Sequence, residues 1–269
     1  MTARTSHHFW ADQPPGPCEP GPLTHLFRDL RLLVNGAAPV VDCSSGQIAT
    51  VGVPANYTVT RDIPGVGISL GTSTASYINW TNRPTAATKV TFFGVIKPDA
   101  ASTNQLLIMS SGSASGGGQM IKVDTGNQLT LSKPGLVDYA SLSLTDGEPV
   151  AFIGSHDEVS DVYWLMKRSL RTGQIASTSG TNTNTAGAGD GTYTLGGRTD
   201  GSNSMSSPLF LAGLALSFLP QACGYAFLMD PWHVFARPSF PSASAAVAAY
   251  VFNPLSGRGG AAAQPLAVH

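Results

Sequence analysis

The densest group of ionisable side chains is His156-Asp157-Glu158, followed by Asp161. Glycoside cleavage needs two carboxylates flanking a cleft, about 5–5.5 Å apart where configuration is retained. Along one strand that means acids two residues apart, because alternate side chains share a face. No Glu-x-Asp-x-x-Glu pattern occurs. Asp157 and Glu158 face opposite sides if extended, so the group reads as a polar turn ahead of an apolar strand. His156 has the chemistry of a base or ligand, without a second histidine at ligand spacing.

The other chemical signatures fail in similar ways. Gly112-Ser113-Ala114-Ser115-Gly116 only loosely matches a nucleophile elbow and sits in low-complexity sequence with no helix after it. The glycines of Gly187–Gly191 lack the strand–helix setting of a dinucleotide site, and no Gly-Lys-Ser/Thr makes a phosphate loop. Asp42, Asp190 and Asp200 stand alone, whereas a calcium ion wants six or more oxygens, usually with several carboxylates. Cys18, Cys43 and Cys223 are far apart with no paired spacing, which reads as free thiols in a reducing compartment. The expectation is therefore no catalytic residue, no metal, no cofactor and no enzyme.

Trp80, Tyr163, Trp164 and Trp232 have the ring faces of a sugar platform, but each lies in or beside an apolar run and is read as core packing. Asn56-Tyr57-Thr58 and Asn79-Trp80-Thr81 match glycosylation sequons and mean little without a secretory signal. Residues 1–22 lack the apolar stretch of such a signal.

Fifteen basic and sixteen acidic residues make only 12% of the 269-residue chain charged, with a net charge of −1. That is about half the usual charged share of roughly 25%. Nothing in it draws nucleic acid or an anionic membrane surface. No run reaches the ~18 apolar residues of a membrane span. So uncharged a surface resists self-association poorly, which suits a protein packed against neighbours.

The elements that would carry any site are short strands. Lys89–Lys97 is rich in β-branched and aromatic residues and stops at Pro98. Pro149–Ser155 and Asp161–Leu170 are equally strong, and Asn56–Arg61, Val66–Leu70, Ser76–Trp80, Gln105–Ser110, Gln119–Val123, Gln128–Ser132 and Thr192–Leu195 are shorter. Turn signals every 8–12 residues give about a dozen strands in an antiparallel sandwich. Leu23–Val34 reads as a helical turn running into a strand, and Asp42 as the head of an Asx turn.

Pro208–Pro238 is the most apolar stretch: a strand, a break at Pro220, a short helix over Gln221–Met229, and a stop at Asp230-Pro231-Trp232. Ser110–Gly118 and Ser177–Gly191 read as polar loops, either plain connections or a ligand-presenting rim. Five prolines between Pro14 and Pro22 make residues 1–25 an extended arm, on which Phe9 and Trp10 pin either their own subunit or a neighbour. Residues 239–269 form an Ala/Pro/Gly-rich tail whose one apolar island holds Tyr250 and Phe252.

Leu32–Gly46, Gly65–Trp80, Lys89–Lys97 and above all Leu211–Pro238, with Pro231-Trp232-His233-Val234-Phe235, resemble the laminin-G-like, concanavalin A-like jelly rolls of tailed phages and prophages. The resemblance covers roughly residues 26–238. It implies an all-β fold: an antiparallel jelly-roll β-sandwich with one short C-terminal helix between extended N- and C-terminal arms. It also implies a structural virion protein made in the host bacterial cytoplasm, most simply a capsid decoration or cement protein. Its partners would be the major capsid protein or tail components and further copies of itself. Phe9, Trp10, Tyr250 and Phe252 would be its assembly contacts. The alternative is a module that binds host glycan through the rim loops.

Overall fold

In the computed structural model, residues 13, 19–37, 41–51, 58–62, 64–70, 76–84, 88–99, 104–111, 117–133, 137–183, 189–199 and 202–236 are described. They form fifteen strands: β1 (Leu30–Asn35), β2 (Thr50–Val51), β3 (Thr58–Asp62), β4 (Gly65–Ser69), β5 (Ile78–Trp80), β6 (Lys89–Ile96), β7 (Gln105–Met109), β8 (Met120–Val123), β9 (Gln128–Lys133), β10 (Val137–Ser143), β11 (Val150–Asp157), β12 (Val162–Ser169), β13 (Ile175–Thr181), β14 (Tyr193–Leu195) and β15 (Leu209–Ala215). One helix, α1 (Gln221–Met229), follows, and 3-10 turns lie at Pro22–Leu26 and Pro231–Val234. Phe9, Trp10, Tyr250 and Phe252, with most of the arm and all of the tail, lie outside the described residues.

The strands make two antiparallel sheets. The larger has the order β13-β12-β11-β6-β15-β4-β3, and β1 takes the far side of β15 over Leu211–Ala215, beyond the point where β4 meets Leu209. The smaller runs β10-β9-β8-β7-β14-β5-β2. The all-β, antiparallel jelly-roll sandwich expected from the sequence is the fold observed.

Side-chain alternation divides the apolar residues between two cores. Leu32, Phe92, Phe152 and Leu165 meet Ile108, Ile121, Leu129, Leu131, Tyr193 and Leu195 between the sheets. Their chain neighbours Leu33, Phe93, Ile153, Trp164 and Met166 point the other way, into a second core under α1. This is why Lys89–Ile96 reads as a continuous apolar run: β6 is covered on both faces. Trp232 and Phe235 belong to this outer core, with Phe227, Leu228 and Phe27, and do not cap the edge of the inner one. The rings of Phe27, Phe93 and Phe227 pack at centroid distances of 4.1, 5.2 and 6.0 Å. Gly213 lies beneath them, where a Cβ would sit 2.0 Å from the Phe93 ring.

Residues 208–236 fold in the expected order of strand, break and short helix. β15 ends at Ala215, Pro220 precedes α1 with extended dihedrals, and α1 stops at Asp230, whose successor Pro231 disfavours a helical residue before it. Leu216 and Phe218, expected on the strand, lie past its end. A register shift between Leu209 and Leu211 puts Phe210 and Leu211 together in the outer core, while Leu209, Ala212 and Leu214 stay in the inner one.

Three strands depart from the expectation, the shortest being the two-residue β2. Ile175–Thr181 is a strand and not the start of a loop, because an edge strand needs no apolar face and Ser, Thr and Ile tolerate the pleat. Val137–Ser143 is a further strand whose pairing to β9 shifts register between Asp138 and Ala140, which blurs its alternation.

Candidate functional site

β12 separates two polar regions with opposite character. Outside it, between the β12–β13 pair and the start of α1, lies an open cleft of about 430 Å³. Phe218 and Val162 supply most of its apolar surface, with the buried Trp164 behind them, and Ser179, Thr181 and Gln221 line it with hydroxyl and amide groups. Trp164 is almost fully buried in the outer core, and its Nε1–H donates to the Leu219 carbonyl at 2.7 Å, so the ring fixes the floor of the 219–221 turn rather than presenting a face to solvent. Ser155 Oγ accepts from the Leu219 amide at 3.1 Å, and Thr91 Oγ1 donates to the Ser217 carbonyl at 2.6 Å. These bonds tie the 217–219 segment, and Phe218 with it, to the sheet. Among the described residues no Asp, Glu, Lys, Arg or His lines the cleft. It is a shallow, open depression whose volume alone falls in the range of small-molecule sites.

Inside β12, at the end of the sandwich, is a sealed network. Gln119 Oε1 accepts from Tyr139 Oη and from His156 Nδ1, both at 2.9 Å, and its amide nitrogen donates to Glu158 Oε1 at 3.3 Å. Lys133 Nζ lies 3.4 Å from the same Glu158 oxygen, with the two side chains 0% and 5% exposed. Lys133 Nζ and His156 Nε2 are buried without a hydrogen-bond partner. The Tyr139 ring is 4.7 Å from the His156 ring and 5.4 Å from the Tyr163 ring.

Burial, reinforced by the Lys133 charge, pushes His156 down from its ordinary 6.5 to about 4, so the ring is neutral at pH 7. Burial lowers Lys133, against the pull of Glu158. Burial, then Glu158, raises Tyr139 well above 10. Tyr163 joins the two regions: its ring faces inward, and its hydroxyl fits across Gly180, where a Cβ would lie 2.6 Å from it.

The alternation around His156 is as expected. Asp157 turns outward to Lys89 Nζ at 3.0 Å, and Glu158 turns inward to Lys133. Asp42 heads an Asx turn, accepting from the Ser44 amide at 2.9 Å, and also ion-pairs with Arg83 at 2.6 Å. Trp80, Trp164 and Trp232 are all buried, as core readings require. Cys43 is buried and Cys223 half-buried, neither in a disulfide. Among the described residues no three His, Cys, Asp or Glu side chains gather as a metal site, and no helix is long and apolar enough to cross a membrane.

Gln119, Lys133 and Tyr139 were not singled out from the sequence. A signal for Lys133 was present: it shares its strand parity with Leu129 and Leu131, both in the inner core. Ser179 and Thr181 fall in the segment that was weighed as a ligand-presenting rim. They line the cleft from a strand and not from a loop.

No family model matches the chain, and no curated protein does. Solved structures share its fold. The ligand-binding domain of botulinum neurotoxin serotype D, in complex with N-acetylneuraminic acid, aligns with a TM-score of 0.55 at 13% identity, over 77% of this chain and 52% of that one. A GH54 α-L-arabinofuranosidase soaked with 4-nitrophenyl α-L-arabinofuranoside aligns at 0.53 and 13%, over 75% and 53%. A Trypanosoma rangeli sialidase in complex with a difluorinated nononic acid aligns at 0.51 and 11%, over 78% and 34%. The chain spans from about a third to about half the length of these structures.

The expectation that the chain is no enzyme is overturned by this comparison, because glycoside hydrolases share its β-sandwich fold. Two acids need not share a strand, because folding assembles groups from separate segments, as it brings Glu158, just past β11, against Lys133 at the end of β9 and Gln119 ahead of β8.

Proposed function

We propose that this sandwich is a glycan-binding domain whose sugar lies in the cleft between β12–β13 and α1. The cleft itself carries the reading: the Phe218 ring beside the hydroxyls of Ser179 and Thr181 and the amide of Gln221, with no Asp, Glu, Lys, Arg or His among the described residues that line it. A sugar ring has an apolar face and a rim of hydroxyls. Ring carbons suit the Phe218 ring, and the rim suits neutral donors and acceptors. The missing charge favours a neutral saccharide over an acidic one. The solved structures that share the fold support the reading in kind, since three are complexed or soaked with sugar-type ligands. The resemblance to phage jelly rolls supports a place on the outside of a tailed-phage particle, where the domain meets host-surface glycan and its partners are capsid or tail proteins.

The test is a glycan array probed with the full chain, followed by calorimetry on the hits. Neutral saccharides should bind, and Gln221→Ala should weaken them. Binding confined to acidic glycans and indifferent to Gln221 would reject the cleft.

A further inference from the structure

Exposed strand edges invite pairing, and folded proteins guard them with charge, proline, bulges or brevity. This sandwich guards nearly every edge. β3 carries Arg61 and Asp62. The outer side of β1 is covered by residues 41–43, through the Val34–Asp42 bridge and the Cys43 amide bonded to the Leu33 carbonyl at 2.7 Å. β2 is two residues long. β10 carries Asp138 and a register shift.

β13 has none of these devices. Its sequence is Ile-Ala-Ser-Thr-Ser-Gly-Thr, and its pairing to β12 is continuous from Val162↔Thr181 to Arg168↔Ile175 with no shift. Among the described residues no strand pairs with its other side.

The backbone on that side can be assigned. The Asn182 amide bonds the Asp161 carbonyl at 2.7 Å, and the Ser169 amide bonds the Gln174 carbonyl at 2.9 Å. In an antiparallel pair a residue directs its N–H and C=O to the same neighbour, and successive residues alternate. Even-numbered residues from Gln174 to Asn182 therefore face β12. Ile175, Ser177, Ser179 and Thr181 direct both groups outward.

We propose that β13 is a self-association edge, pairing antiparallel with β13 of a second copy about a two-fold axis at Thr178. That register sets Ile175 against Thr181 and Ser177 against Ser179 of the other copy. Each is a hydrogen-bonded pair, giving about eight bonds across the seam. Thr178 meets its own symmetry mate in a non-hydrogen-bonded position, where Cα atoms and side chains approach more closely. The occupant is a second copy because the edge is self-complementary: a two-fold brings identical groups together, and seven uncharged residues meet without repulsion. A charged partner peptide finds no counter-charge on this strand.

The seam joins the two large sheets into one, with both clefts on the same face. If the clefts hold glycan, the dimer is bivalent, and that consequence alone rests on the glycan reading.

Sedimentation velocity on the full chain tests the seam. A concentration-dependent dimer is expected. Ser177→Pro deletes an outward N–H that β12 does not use, so it should shift the chain to monomer while leaving the circular dichroism unchanged. Thr178→Cys, in a Cys223→Ser background, should cross-link to a disulfide dimer under mild oxidation, and Ala176→Cys should not. The cross-link decides the matter should Ser177→Pro fail to fold. A chain that stays monomeric at every concentration overturns the proposal. So does a dimer that neither cross-links through Thr178→Cys nor responds to Ser177→Pro.

Discussion

The two polar regions on either side of β12 differ in what they do with charge. The outer cleft has no Asp, Glu, Lys, Arg or His among the described residues that line it and stands open, with its hydroxyls and amide facing water. The inner network holds Lys133, His156 and Glu158 almost entirely out of water. Burying a lysine and a glutamate costs several kcal/mol per ion and is offset only by close partners. The inner network therefore belongs to the architecture at that end of the sandwich, where Gln119 ahead of β8, Tyr139 on β10 and His156 on β11 meet. The outer cleft leaves its polar groups free for a ligand. In this molecule, dense chemistry in the sequence marks the sealed region, and the open site is built from residues that look unremarkable one by one.

Breaking the inner pair should have the largest effect. Lys133→Met leaves Glu158 buried without its cation and should cost about 3–5 kcal/mol of stability, read from urea denaturation. Whatever protein folds should bind sugar at the wild-type affinity, since Lys133 does not reach the cleft. Reduced affinity at full foldedness would show that the two regions are coupled.

The pH dependence of stability sharpens the contrast. His156 is held at about 4, below the ordinary 6.5 of an unfolded histidine. As pH falls below 6.5 the unfolded chain takes up the proton first. Stability should therefore decline between about pH 6.5 and 4 and level off below, by about 3 kcal/mol from this residue. Denaturation of wild type and His156→Gln across that window isolates the contribution, because the carboxylates titrate in both. Sugar binding measured over the same window should stay flat while the protein is folded.

The smallest effects belong to the cleft. Thr181→Ala and Gln221→Ala should each weaken binding by about 3- to 10-fold, the loss of one net hydrogen bond, with no measurable change in unfolding midpoint. A similar truncation outside the cleft, such as Ser143→Ala, should change neither.

How much was legible in the sequence follows from the same contrast. The sandwich was readable because β6, β11 and β12 combine β-branched and aromatic residues with clear turns, and α1 because Pro220 and Pro231 bracket it. That Trp164 and Phe93 serve a second core was not readable, since a strand covered on both faces has the same residue types on both parities. The cleft was half legible. Ser179 and Thr181 lie in a segment singled out for its polarity, but Gln221 and Phe218 meet them only through the turn at Leu219-Pro220. Lys133 was hidden by its type, because a lysine ending a strand is normally solvated, and only its parity with Leu129 and Leu131 pointed inward.

The central claim is that sugar sits in the outer cleft, and the Trp164 indole N–H is its most direct reporter. In a titration of the ¹⁵N-labelled full chain with a neutral saccharide, resonances of the Trp164 indole, Ser179, Gly180, Thr181 and Gln221 should shift together and saturably, with Gln119, Tyr139 and His156 unmoved. Saturable shifts centred on Gln119, Tyr139 and His156, with the Trp164 indole unchanged, would contradict it.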